Sequence, residues 1–218
     1  YQVHLTMGAN YGDLNNDGFQ DLVLGTGFVD YDSLEPNVAY LNDGFGHFVD
    51  ISFASGMAHL QKGHAIAFGD LDRDGDQDIF MQIGGFFPGD AFLSALYENP
   101  GHYNHWLSVK LVGTDSNKDG LGARIKIRVD EHGLQRDVFS YVSTGGSFGA
   151  SSIEQEIGLG RIDRIVSLEI LWPSGKLQIL EEVEPNRHIR ITEGERGFEV
   201  LPRSSFILAP DRALLDFN

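Results

Sequence analysis

Five aspartates on alternate positions, Asp70, Asp72, Asp74, Asp76 and Asp78, with Gly75 after the third, are the residues here best placed to do chemistry. Alternate side chains of a loop converge, and unpaired carboxylates so close repel one another. A hard divalent cation that takes about six to eight oxygen ligands removes that repulsion, and calcium is the best fit. Gly75 permits the sharp turn around the ion. The spacing assigns Asp70, Asp72, Asp74 and Asp78 as side-chain ligands and the backbone carbonyl of Asp76 as another. The loop starts like an EF-hand, but its twelfth position is Met81 where an EF-hand needs a bidentate Glu. The flanks, Ala65–Phe68 and Ile79–Ile83, are short apolar runs that read as strands. Asp78 therefore closes a loop between strands, not helices.

A second copy begins 57 residues earlier, with Asp13, Asn15, Asp17, Gly18, Phe19 and Asp21 in the same spacing. Here Asn15 supplies an amide oxygen and Phe19 the backbone carbonyl. The offset extends past the loops, since Tyr40-Leu-Asn42-Asp-Gly44 falls on Tyr97-Glu-Asn99-Pro-Gly101 without a gap. A repeat of roughly 40–60 residues signals propeller blades or a similar array. The expectation is two calcium sites, one per repeat.

The elements that must hold these loops are β-strands. Residues 1–101 read as two repeats of strand, acidic loop, strand, irregular connection and strand. In the first these are Val3–Met7, the Asp13 loop, Leu22–Gly25, Phe28–Pro36 and Val38–Leu41, followed by a Gly/Asn/Asp turn and a fourth short strand, Phe48–Ile51. Four antiparallel strands make one blade, and two blades cannot close a ring. Further blades are thus expected on this or another chain, unless the two pack on the second domain. Residues 102–195 carry strand-like runs at Trp106–Val112, Ala123–Val129, Arg136–Tyr141, Ile165–Trp172, Leu177–Glu182 and His188–Thr192. Lys126-Ile-Arg-Val129 alternates as a half-buried strand does. No helical period of useful length occurs, so the second domain reads as a β-sandwich or barrel. Residues 196–218 form an extension rich in Phe, Ile and Leu without a period, which either packs back on its own chain or covers a partner.

Composition narrows the function. The chain has 218 residues, 32 acidic against 16 basic, for a net charge of −16. Such a chain lacks the basic face that nucleic acid or anionic lipid requires. It has no cysteine, hence no disulfide and no thiolate chemistry. No stretch reaches the roughly 18 apolar residues of a membrane helix. Weak calcium loops fill where calcium is near millimolar, which points outside the cytosol, to an extracellular or periplasmic protein. The start at Tyr1, inside a repeat, reads as a processed product or part of a longer chain.

Taken together, the motifs resemble a known pairing. Gly12-Asp-Leu-Asn-Asn-Asp-Gly18-Phe-Gln-Asp21 and Gly69-Asp-Leu-Asp-Arg-Asp-Gly-Asp-Gln-Asp78 resemble the calcium loops of FG-GAP (VCBS-type) repeats, the blades of integrin α-type propellers. Asn42-Asp-Gly-Phe-Gly-His-Phe48 is similar to the turn and strand that end such blades. Asn104–Gly113, Asn117–Arg124, Ile157-Gly-Leu-Gly160 and Leu171–Lys176 resemble the ASPIC/UnbV domain. Cartilage acidic protein and a set of bacterial exported proteins share this order. The resemblance implies an all-β chain, two propeller-type blades followed by a β-sandwich-like domain, with calcium holding the blades. It implies an interaction or scaffold role with a protein partner or larger assembly, and no generally accepted activity for the second domain. The association of some bacterial members with enediyne biosynthesis implies the alternative of a secondary-metabolism enzyme with an interdomain pocket, for which Arg124, Trp172 and His105 are candidate lining residues. A carbohydrate- or matrix-binding module is a third reading, by fold analogy alone. The segment Ser147–Gln155 and the tail beyond Gly197 depart from the family pattern.

Other candidates are weaker. Asp115-Ser-Asn117-Lys-Asp119-Gly120 begins like a third loop, but its ninth position is Ala123, so a polar turn is expected. His102 with His105, near Asp90 and Glu98, and His59 with His64, read as ordinary surface histidines before metal ligands. Thr144–Gly149 is glycine-rich without the Lys-Ser/Thr of a phosphate loop.

Overall fold

The computed structural model describes residues 3–28, 34–85, 87–89 and 92–208. The described residues form strands and turns and no α-helix, so no helix is long and apolar enough to cross a membrane. The first repeat is a four-stranded antiparallel meander of β1 (Thr6–Gly12), β2 (Asp21–Thr26), β3 (Val38–Asn42) and β4 (Phe48–Asp50). The second is three-stranded, with β5 (Gly63–Gly69), β6 (Asp78–Ile83) and β7 (Ala95–Tyr97). Each acidic loop joins the first two strands of its sheet. The two sheets share a core of Val23, Ala39, Ile66, Phe68, Ile79 and Met81.

Two expectations shift here. The first strand spans Thr6–Gly12 and not Val3–Met7, because Gly8 extends the strand instead of breaking it. A Cβ at Gly8 would stand 1.7 Å from the His64 carbonyl oxygen, so only glycine lets β1 run that close to β5. Among the described residues the second blade has no fourth strand, since after Gly101 the chain enters β8 (His105–Val112) of the second domain.

That domain is a sandwich. One sheet has the order β10-β9-β12-β13, from β9 (Arg124–Glu131), β10 (Leu134–Tyr141), β12 (Arg164–Leu171) and β13 (Leu177–Leu180). The other has the order β11-β8-β14-β15, from β8, β11 (Gln155–Gly160), β14 (Arg187–Thr192) and β15 (Glu199–Val200). The predicted alternation holds, with Ile125, Ile127 and Val129 of β9 facing Leu107, Val109, Ile189 and Ile191 across one core. Trp172 is buried there, which removes it as a pocket residue. The turn Trp172–Lys176 joins β12 to β13 as the expected hairpin.

Two segments fasten the sandwich to the blades. The first is the atypical stretch after β10, where Ser147 bridges Ala9 of β1 and Ser151 bridges Phe68 of β5. Gly149 lies so close to β5 that a Cβ would meet the Ile66 carbonyl oxygen at 1.7 Å. The glycines once weighed for phosphate thus serve a backbone approach. The second is the C-terminal extension. Val200 pairs with Ile189, the Leu201 N–H donates to the His188 carbonyl, and the Phe206 N–H donates to the Asp72 carbonyl. Of the two fates expected for the extension, residues 199–208 pack back on their own chain; residues 209–218 lie outside the described residues.

Candidate metal centres

Each acidic loop is first shaped by its own carboxylates. In loop 1, Asp13 accepts the N–H groups of Asp17 (3.1 Å) and Gly18 (2.8 Å), and Asp17 accepts that of Phe19. In loop 2, Asp70 accepts from Gly75 (2.9 Å), Asp72 from Asp74, and Asp74 from Asp76. Gly18 and Gly75 stand at φ +92° and +106°, as the turn requires. The ninth-position aspartates close both loops identically. Asp21 accepts from Leu14 and Asn42; Asp78 accepts from Leu71 and Asn99. Asn42 and Asn99, matched in the repeat alignment, also cap equivalent carbonyls, those of Gln20 and Gln77.

Loop 2 gathers charge most closely. Asp70, Asp72 and Asp74 each offer a carboxylate oxygen within 4.8 Å of the others, the one such convergence of three or more acidic or histidine side chains among the described residues. Asp70 Oδ1 is buried without a hydrogen-bond partner. In loop 1, Asn15 takes the third position, and its amide donates to Asp17 (3.0 Å). Burial, then the Asp17 charge, pushes the Asp13 carboxyl up to about 8. Burial likewise raises Asp21 and Asp70, each to about 6, against the Asn42 N–H and the Arg203 guanidinium, which favour the charged forms. Asp72 and Asp78 are raised chiefly by burial too. The donor set is all oxygen and crowded, and Asp70 Oδ1 is buried without a partner of its own. These residues fit a hard cation.

The Asp76 side chain plays a different part. It accepts a short hydrogen bond from Asn16 Nδ2 of loop 1, whose amide also donates to the Gly75 carbonyl. Asn99 Nδ2 donates to the Leu14 carbonyl, and Gln77 Oε1 accepts from the Asp13 N–H. The loops are therefore latched to one another. The second domain adds one arginine and the C-terminal extension another. Arg136 donates to the Asp17 and Leu159 carbonyls with its guanidinium 5.6 Å from the Phe19 ring. Arg203 pairs with Asp70, donates to the Arg73 carbonyl and lies 5.2 Å from the Trp106 ring. No local spacing announces either arginine, since their loop partners Asp17 and Asp70 are more than a hundred residues away in sequence.

The remaining candidates resolve into structural roles. In the Asp115 turn, one Glu193 oxygen accepts the N–H groups of Thr114, Asp115 and Ser116, while the Asp115 carboxylate pairs with Lys176. His59 accepts from the Gln61 N–H, His64 bonds the Gly84 carbonyl, and His105 meets Asn186. Asp90, named beside His102, lies outside the described residues. Of the three pocket candidates, Arg124 lines one interdomain cleft of about 330 Å³, with Tyr11, Tyr141, Gln77 and Glu156, and His105 lines another of similar volume, with Asp74, Asp76, Trp106 and Asn186.

Residues 12–81 match the FG-GAP-like repeat family, and residues 113–197 match the ASPIC and UnbV family. No curated protein matches the chain. The described chain is thus all-β, with an FG-GAP-like repeat region of the propeller-blade type followed by an ASPIC/UnbV-like domain.

Proposed function

We propose that this protein is a calcium-binding interaction module that works outside the cytosol, with one ion in each acidic loop and a protein partner or larger assembly around it. The observation that carries the calcium reading is Asp70 Oδ1, buried and unpartnered beside the Asp72 and Asp74 carboxylates. An ion there would be held by Asp70, Asp72, Asp74, Asp78 and the Asp76 carbonyl; in loop 1 by Asp13, Asn15, Asp17, Asp21 and the Phe19 carbonyl. The outer edge of β7, unpaired among the described residues, supports the partner, because such an edge is a template for another strand. Further blades would cover it. The enzymatic reading has the interdomain cleft in its favour. Against it, Glu156, the buried cleft carboxylate that desolvation pushes up to about 7, already spends its oxygens on the Asp70 N–H and the Gln77 amide. Isothermal titration with calcium tests the proposal. The expected stoichiometry is two ions per chain, falling to one in Asp17→Ala and one in Asp74→Ala. No binding by the wild type would refute it.

A further inference from the structure

The C-terminal strap places a cation of its own on loop 2. Arg203 is nearly buried, with 12% of its side chain exposed, and Asp70 beneath it shows 1%. The guanidinium is permanently charged. It is fixed on three sides, by Asp70 Oδ2, the Arg73 carbonyl and the Trp106 ring. The strap backbone is registered on the same loop through the Phe206 N–H and the Asp72 carbonyl.

Asp70 therefore faces two claims. Its Oδ2 is taken by Arg203 and the Gly75 N–H, while Oδ1 is buried and has no partner. A divalent cation reaching Oδ1 would sit one carboxylate's width from the guanidinium. Like charges that close repel, more so away from water. Arg203 also withdraws electron density from the carboxylate the ion needs.

We propose that Arg203 is a built-in competitor for the loop 2 cation site, so that seating of the strap and binding of calcium to Asp70 oppose each other. This rests on the calcium reading of loop 2. Coupling between two ligands of one group is reciprocal, so calcium must loosen the strap by the factor by which the strap weakens calcium. Strap residues Leu201, Pro202 and Arg203 wall a polar cavity of about 370 Å³ together with Asp70, Glu154, Glu156 and His188, so a loosened strap opens it. Calcium level would then set access to that cavity.

The test uses the full chain. Calcium titration of Arg203→Gln, which keeps hydrogen-bonding groups and removes the charge, should give about tenfold tighter binding at loop 2 and unchanged binding at loop 1. Arg203→Lys, which keeps the charge, should stay nearer to wild type. In the wild type, calcium should speed chymotryptic cleavage after Phe206 and shift the emission of Trp106, which loses its cation neighbour. Unchanged or weaker loop 2 affinity in Arg203→Gln, or protection of the strap by calcium, overturns the proposal while leaving two-site calcium binding intact. A wild type that binds no calcium overturns the calcium reading and this proposal together.

Discussion

The two acidic loops share one spacing and one closing device, yet the rest of the chain treats them differently. Against loop 1 it lays Arg136, which donates to main-chain carbonyls at Asp17 and Leu159 and leaves the carboxylates alone. Against loop 2 it lays Arg203, which pairs with a carboxylate directly. Loop 1 is the more buried, with Asp13 and Asp21 both inaccessible and Asp13 pushed up to about 8. Loop 2 has two extra acids, Asp72 where loop 1 has Asn15 and Asp76 where loop 1 has Phe19, and a resident cation beside its surplus charge. A repeat can thus conserve its geometry while its electrostatics are set from outside, by whichever neighbour reaches it.

The ninth-position aspartates offer the strongest way to probe the shared part. Asp21→Ala orphans the N–H groups of Leu14 and Asn42, and Asp78→Ala those of Leu71 and Asn99. A fully buried orphan such as the Leu14 N–H costs about 1–3 kcal/mol, and the half-buried ones cost less. Both variants should lose stability even in EGTA, by about 3 kcal/mol at Asp21 and about 2 kcal/mol at the less enclosed Asp78, measured by urea denaturation. Equal stability of either variant and wild type without calcium would mean these carboxylates act only as metal ligands.

The Asp115 turn extends the comparison, because there a carboxylate from the chain fills the loop. Hydrogen bonds from Ser174, Ser116 and Thr114 outweigh desolvation and hold Glu193 down at about 2, below its ordinary 4.5. A depressed acid stabilises the fold above its unfolded value and loses that contribution as pH falls. Wild-type melting temperature should therefore drop between about pH 5 and pH 2 more steeply than that of Glu193→Gln. Parallel pH profiles would count against the anchoring role.

The smallest effect concerns the strap. Arg190 and Glu199 form an exposed pair beside β15, with Glu199 60% accessible. Exposed pairs contribute about 0–1 kcal/mol. Glu199→Ala should change neither melting temperature nor chymotryptic cleavage of residues 201–208 appreciably. A strap that came loose in Glu199→Ala would move the anchor away from Arg203.

Much of this was legible in the residues. The alternating acids located both loops, the aligned Tyr-x-Asn-x-Gly segments located the equivalent caps Asn42 and Asn99, and two-residue periodicity located β9 and β14. What escaped depends on contacts between distant positions. Gly149 and Gly8 look like turn residues until another strand's carbonyl is seen 1.7 Å from the missing Cβ. Arg203 sits in an aperiodic segment, and its partner Asp70 is identified only by folding. The second blade's missing fourth strand also follows from where the chain goes next, not from its own composition.

The most direct test of the central claim is a pair of thermal melts, in millimolar calcium and in excess EGTA, for wild type, Asp74→Ala and Asp17→Ala. An ion bound only to the folded state at about a thousand times its Kd adds about 4 kcal/mol, or roughly 10 °C, per site. Wild type should show a calcium-dependent rise of at least that size, reduced in each variant as one loop is lost. Superimposable wild-type melts with and without calcium would contradict the account, leaving both loops as hydrogen-bonded acidic turns.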